Sequence, residues 1–267
     1  MKFKIDHDLH IHSRLSSCSN HPEQTAERIL SYAKAEKLDK ICITDHFWEE
    51  TVEGASDWYR PQNFAHITSE LPLPGNGDVS FLFGCETEMD KFFNLGISRK
   101  RIDSFDFIIV PTSHLHMTGF TVAEQDTGVK RRAEFYMERC HRLLDMDLPF
   151  HKIGLAHFTC GLMARGCEGT RDDIMNSISD SDFKNLFEKA AKVGIGIEIN
   201  TALSDAQNKA ALRPYIIAKN CGCKFYLGSD AHTPNDFVNA RARFSAMIDA
   251  LQLSEDDKFP FAKVDKN

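Results

Sequence analysis

Short apolar runs alternate along this chain with longer segments of helical period. Phe3 to Asp8 alternates apolar and polar residues and predicts a first strand. Lys40 to Thr44, Val79 to Cys85, Asp106 to Val110, Lys152 to Ala156, Ile195 to Ile199 and Lys224 to Leu227 predict six more. The first helix opens at Pro22-Glu23, with Ala26, Ile29, Leu30, Ala33 and Leu38 at helical spacing. Val129 to Asp145 predicts a long charged amphipathic helix, whose Lys130, Arg131 and Arg132 read as a solvated face. Thr170 and Ser179 are placed to cap two successive helices, the second ending near Val193. Ala206 to Asn220 is helical, kinked or divided at Pro214, and Asn235 to Leu251 is helical with Pro234 near its start. Shorter helices are expected at Asn63 to Glu70 and Ser98 to Ser104, and a terminal strand at Phe259 to Val264. Glu49 to Gly77 is a loop-rich excursion broken by Pro and Gly, and glycine-rich Gly161 to Gly169 reads as a mobile loop.

Strand, loop and helix thus recur about seven times, which implies a parallel sheet. Ligands of such sheets bind beyond the carboxyl ends of the strands. Nearly every predicted strand is followed within a few residues by His, Glu or Asp, and the sixth carries Glu198 and Asn200 on one face. A barrel gathers these ends into one mouth, whereas an open sheet spreads them apart. The expectation is therefore an α/β fold, a distorted seven-stranded TIM-like barrel with its site at the C-terminal strand ends. No repeat, low-complexity tract or linker interrupts the pattern, so residues 1–267 are read as one domain.

Composition narrows the class. The chain is 42% apolar and 27% charged, as in ordinary globular proteins, and its net charge of −7 argues against a dedicated nucleic-acid binder. No apolar run is long enough for a membrane span, and no secretory signal is read. The eight cysteines form neither a C-x-x-C pair nor a disulfide framework, which suits a reducing, cytoplasmic setting. Histidine, at twelve residues, is the unusual count.

The placement of those histidines carries the chemistry. Residues i and i+2 of a strand project from one face, so His10 and His12 of Asp8-Leu9-His10-Ile11-His12-Ser13 point at one spot. Asp45-His46, Glu86, His114, His157 and Asp230 with His232 recur at the same phase, just past strand ends. Independent surface residues would not share that phase, and the joint reading is a multinuclear metal site. Two choices stay open: Glu88 shares a strand face with Glu86, and His116 has the parity of His114. His7, His66, His141 and His151 fall outside the pattern and read as ordinary surface or core residues, while Asp8 and Asp45 are expected to orient ligand imidazoles.

Taken in order, D-L-H-I-H-S, T-D-H at Thr44 to His46, G-C-E at Gly84 to Glu86, S-H at Ser113-His114, A-H at Ala156-His157 and G-S-D-A-H at Gly228 to His232 resemble the PHP (polymerase and histidinol phosphatase) family. Length and the lack of polymerase sequence are similar to its stand-alone, histidinol-phosphatase-like branch. The resemblance implies two or three divalent metals, zinc, iron or manganese. It implies His10, His12, Glu86 and Asp230 around the first, Glu86 bridging to a second with His114 and His157, and His21, His46 and His232 around the third. Cys18-Ser19-Asn20-His21 is similar to the family's C-G-H, with extra residues between H-x-H and this histidine.

Such ligands suit borderline divalent ions, and two ions sharing a carboxylate are spaced for in-line phosphoryl transfer by a bridging hydroxide. Glu86 and Asp230 are then the catalytic carboxylates, with Asp230 or a ligand histidine as the proton relay. The expected activity is hydrolysis of a small phosphate monoester. Arg14, Arg60 and Arg165 are candidates to hold the phosphate, Arg165 being preferred, and Trp58 and Tyr59 are candidates for a pocket wall. Competing readings are a phosphodiesterase or nuclease on the same site, amidohydrolase-type C–N hydrolysis, and a non-catalytic metal-binding regulatory module. Oligomeric state is not legible.

Overall fold

The computed structural model describes residues 1–19, 21–75, 77–200 and 206–261. The apolar runs pair in parallel as β1 (His7–Ile11), β2 (Lys40–Ile43), β4 (Ser80–Thr87), β5 (Phe107–Pro111), β6 (Ile153–Ala156), β7 (Gly196–Asn200) and β8 (Lys224–Gly228). A two-residue strand, β3 (His46–Phe47), continues the β2 side of β4. Outside lie α1 (Ala26–Ala35), the single turn α2 (Phe64–Ile67), α3 (Val129–Asp145), α4 (Arg171–Ser177), α5 (Asp180–Val193), α6 (Lys209–Asn220) and α7 (Ala240–Leu251). The result is a nearly closed, distorted (β/α) barrel, as the alternation predicts.

Its interior is filled beneath the strand ends. Cys42, Leu82, Phe107, Ile109 and Tyr226 pack there, with Phe259 and Phe261 at the base. Gly154 leaves room for Tyr226, whose ring a Cβ at that position would meet at 2.5 Å. The mouth therefore rests on a solid floor rather than a pore. Outside, Ile11, Ile41 and Ile43 pack against Ile29, Leu30 and Ala33 of α1, which is capped by Thr25.

The seam between β8 and β1 is closed mainly through side chains at its lower end. His7 Nε2 accepts from the Leu227 N–H at 3.0 Å, and the Asp8 carboxylate accepts from the Ser229 N–H at 2.9 Å. Higher up, the Asp230 N–H donates to the His10 carbonyl at 2.8 Å and the His12 N–H to the Ala231 carbonyl at 3.0 Å. The upper closing bonds thus lie among the site residues themselves.

Several elements differ from the sequence reading. The first strand is His7–Ile11, because Phe3 and Lys4 run beside the C-terminal segment instead, bonding Leu253 and Glu255. Pro214 lies inside an undivided α6, where it removes one early helical bond. The last helix is split: Pro234–Phe237 form a 3₁₀ turn boxed by Thr233 and Asp236, and left-handed Asn239 precedes α7. The helix expected at Ser98 to Ser104 is a 3₁₀ turn, Arg101–Ser104. Phe259 and Phe261 form no strand, and residues 262–264 of the expected terminal strand lie outside the described residues.

On α3, Lys130 and Arg131 face solvent as the sequence predicts, but Arg132 does not. Arg132 is buried, and so is Arg139 seven residues on, two turns along the same face. Arg132 donates to the carbonyls of Asp126, Leu115, Met163 and Arg165, which ties the loops after β5 and β6 together. That glycine-rich loop after β6 accordingly starts as a 3₁₀ turn, Gly161–Ala164. A buried guanidinium needs such partners for its donors.

Candidate metal centre

Register delivers the donors to one place. His46 of β3 pairs directly with Glu86 of β4, which sets His46 Nδ1 3.2 Å from Glu86 Oε2. His157 follows the last residue of β6, and its Nε2 lies 3.0 Å from Glu86 Oε1. His12 Nε2 approaches Glu86 Oε2 at 3.2 Å and Asp230 Oδ1 at 3.3 Å. His10 Nε2 lies 3.2 Å from Asp230 Oδ1 and 3.1 Å from His12 Nε2. His157 and Asp230 adopt positive φ, +26° and +55°, a backbone region costly for residues with a side chain.

Four overlapping groups offer donor atoms within 4.8 Å of one another: His10, His12 and Glu86; Glu86, His114 and His157; His10, His157 and Asp230; and His12, Cys18, His46 and His232. Glu86 belongs to two of these, with a different oxygen nearest the imidazoles on each side. Of the open pairs, Glu86 and His114 stand in the cluster. Glu88 instead accepts from Arg139 at 2.9 Å and contacts His114 Nδ1 at 3.0 Å. His116 lies on the cavity wall beside His114, outside these groups.

His21 does not join the cluster. Turns from Ser13 to Ser16 and from Ser16 to Ser19 bring Cys18 to the mouth, while His21 enters the turn leading to α1, its Nδ1 accepting from the Glu23 N–H. None of Arg14, Arg60 and Arg165 lines the cavity over the cluster. Arg14 pairs with Glu70, Arg60 pairs with Asp57, and Arg165 is exposed at the rim, its charge felt at His116. Trp58 and Tyr59 do line it, as expected.

His10, His12 and His157 are each held at the nitrogen away from the cluster. His10 Nδ1 bonds Glu198 at 2.6 Å, His12 Nδ1 bonds Ser16 at 2.9 Å and His157 Nδ1 bonds Ser113 at 3.0 Å. This is how proteins aim a ligand nitrogen. Asp45 contributes only through Ser16, which donates to it at 2.8 Å, and Asp8 serves the seam and Tyr32 rather than an imidazole. Sequence reasoning missed Ser16, Ser113 and the Glu88–Arg139 pair. Glu198 was visible as a carboxylate in an apolar strand, and its second oxygen accepts from the His157 N–H.

Electrostatics match a cation site. Burial works against charge on Glu86, but His46 and His10 outweigh it and hold the carboxyl well below the usual range. Asp230 is likewise held ionised against burial by His10 and His12. Burial pulls His10 down, yet Glu198 and Asp230 hold it well above the ordinary imidazole value. Burial and His157 push His114 down to about 3, keeping it neutral. Buried carboxylates ringed by imidazoles, with inward nitrogens fixed, fit borderline divalent ions.

A family model for the PHP domain matches residues 8–202. The chain belongs to the PHP family. The match takes in every PHP station except the Gly228 to His232 segment, which the fold brings back beside His10. A comparison with curated proteins found no match. Among solved structures, the chain is similar to histidinol phosphate phosphatase from Lactococcus lactis subsp. lactis Il1403 in complex with zinc, L-histidinol and phosphate, at 17% identity and TM-score 0.59, covering 93% of this chain and 94% of that one. It is also similar to a putative histidinol phosphatase from Listeria monocytogenes, at 16% identity and TM-score 0.59, covering 86% of this chain and 96% of that one. At such identities the likeness establishes the shared fold. PHP membership with this donor cluster supports a metal-dependent phosphoesterase.

Proposed function

We propose that this PHP protein hydrolyses a small phosphate monoester at a centre of two or three divalent ions shared through Glu86. The carrying observation is the membership of Glu86 in two donor groups, one with His10 and His12 and one with His114 and His157. Asp230 groups with His10 and His157 and also approaches His12, which ties it to the first group, and Cys18, His46 and His232 beside His12 form a further one. Zinc, iron or manganese bound there would supply a nucleophilic hydroxide from water and neutralise the phosphate oxygens.

The chain's own residues do the rest. Glu198, Ser16, Ser113 and Glu88 fix the rings, so the donors are preorganised before substrate arrives. Asp230 Oδ1 faces His10 and His12, while Oδ2 accepts from Asn200 at 3.5 Å, and this carboxylate is the proposed proton relay. Trp58 and Phe120 on the cavity wall limit bulk water over the cluster.

The test is a panel of phosphomonoesters and phosphodiesters, including a dinucleotide, with protein loaded in turn with zinc, iron and manganese. Phosphate release from a monoester, abolished by chelation and restored by metal, is the expected result. The His10→Ala/His12→Ala double variant should lose that activity by at least a thousandfold while keeping its circular dichroism. Inertness of the loaded protein toward every monoester would refute the proposal.

A further inference from the structure

The cavity over the donor cluster has a volume of about 540 Å³, far more than a phosphoryl group fills. Its floor is the cluster itself, with Glu86 and Asp230 the only carboxylates among the described residues that line it. Its sides are Trp58 and Tyr59 from the excursion after β3, Met117 and Phe120 from the loop after β5, and Leu162 from the turn after β6. Neutral Ser56, Thr118 and His116 supply the polar atoms above the floor, and no described lining residue is Lys or Arg.

Trp58 is the telling side chain. It is 39% exposed, so core packing does not explain its position. Its ring stands edge-on to His46 at 4.9 Å and to Tyr59 at 4.7 Å, directly above a donor group. An open indole beside the reacting centre offers a face to a flat apolar group. An ammonium would lose hydration there with no counter-charge above the floor among the described lining residues, and a sugar would leave most of its hydroxyls unpaired. His116, on the wall, carries a buried Nδ1 without a hydrogen-bond partner among the described residues.

From this wall we infer that the leaving group is an uncharged aromatic alcohol, the substrate being its phosphate monoester. The inference rests on the phosphoesterase reading and adds the substrate class. An amino alcohol, such as the L-histidinol bound by the Lactococcus lactis relative, is not what this wall favours.

The experiment compares 2-phenylethyl, n-butyl and 2-aminoethyl phosphate on metal-loaded protein. All three release primary alcohols, so recognition rather than leaving-group chemistry dominates the difference. The expected KM for the phenylethyl ester is at least tenfold below that for butyl, with aminoethyl the weakest. Trp58→Ala brings the phenylethyl and butyl values together, and Trp58→Phe restores the preference. In parallel, calorimetry measures binding of 3-phenylpropylphosphonate and pentylphosphonate, which cannot be hydrolysed at the ester position. Equal binding of the two phosphonates, a preference for the aminoethyl ester, or a preference untouched by Trp58→Ala overturns the inference. If phosphonate binding shows the aromatic preference but no ester is turned over, the wall's selectivity stands and the phosphoesterase reading falls.

Discussion

Cys18 is the side chain whose position has the sharpest chemical consequence. It stands with His12, His46 and His232 where the family resemblance implied His21. A thiolate among imidazoles is a softer donor set than imidazole with carboxylate, and it favours zinc over manganese at that position. Cobalt-loaded protein should therefore show a sulfur-to-cobalt charge-transfer band in the near ultraviolet. Cys18→Ser should abolish the band and His21→Ala should leave it in place. The reverse pattern would return His21 to the site. This departure was hard to read beforehand, because parity arguments lose force in a loop. His10 and His12 were legible from strand geometry. The choice between Cys18 and His21 depends on hydrogen-bonded turns at Ser13, Ser16 and Ser19 that no periodicity encodes.

Among the elements, β8 shows how tightly strand and site are fitted. A Cβ at Gly228 would fall 2.0 Å from Glu198 Oε1 and 2.7 Å from His10 Cβ. The glycine that opens the G-S-D-A-H motif thus makes room for the Glu198–His10 bond that aims His10 at the cluster. Gly228→Ala should cost about 1–3 kcal/mol through overpacking, read as a lower melting temperature. It should also weaken metal binding in a competitive chelator titration. Unchanged metal affinity would mean that Glu198 does not position His10. The strands themselves were legible, since short apolar runs ending in His or Glu mark buried parallel strands. The inward face of α3 was not. Arg132 and Arg139 look like solvent-facing charges until the loop carbonyls and Glu88 that receive them are placed by the fold. Glu88 was legible only as a rival to Glu86, because its role as the partner of His114 requires Arg139 from a helix fifty-one residues away.

At the scale of the whole molecule, the barrel turns six separated stretches of sequence into one floor. Its closing seam runs through His10, His12, Asp230 and Ala231, so the same backbone bonds that shut the barrel hold the ligand strands together. No described helix is long and apolar enough to cross a membrane. The central claim is that divalent ions sit on both sides of Glu86. Anomalous diffraction from crystals grown with zinc, collected above and below its absorption edge, tests this most directly. The account predicts one peak among His10, His12, Glu86 and Asp230 and a second among Glu86, His114 and His157, with both lost in Glu86→Ala crystals of the same fold. Well-occupied zinc elsewhere with neither peak at Glu86 would contradict it.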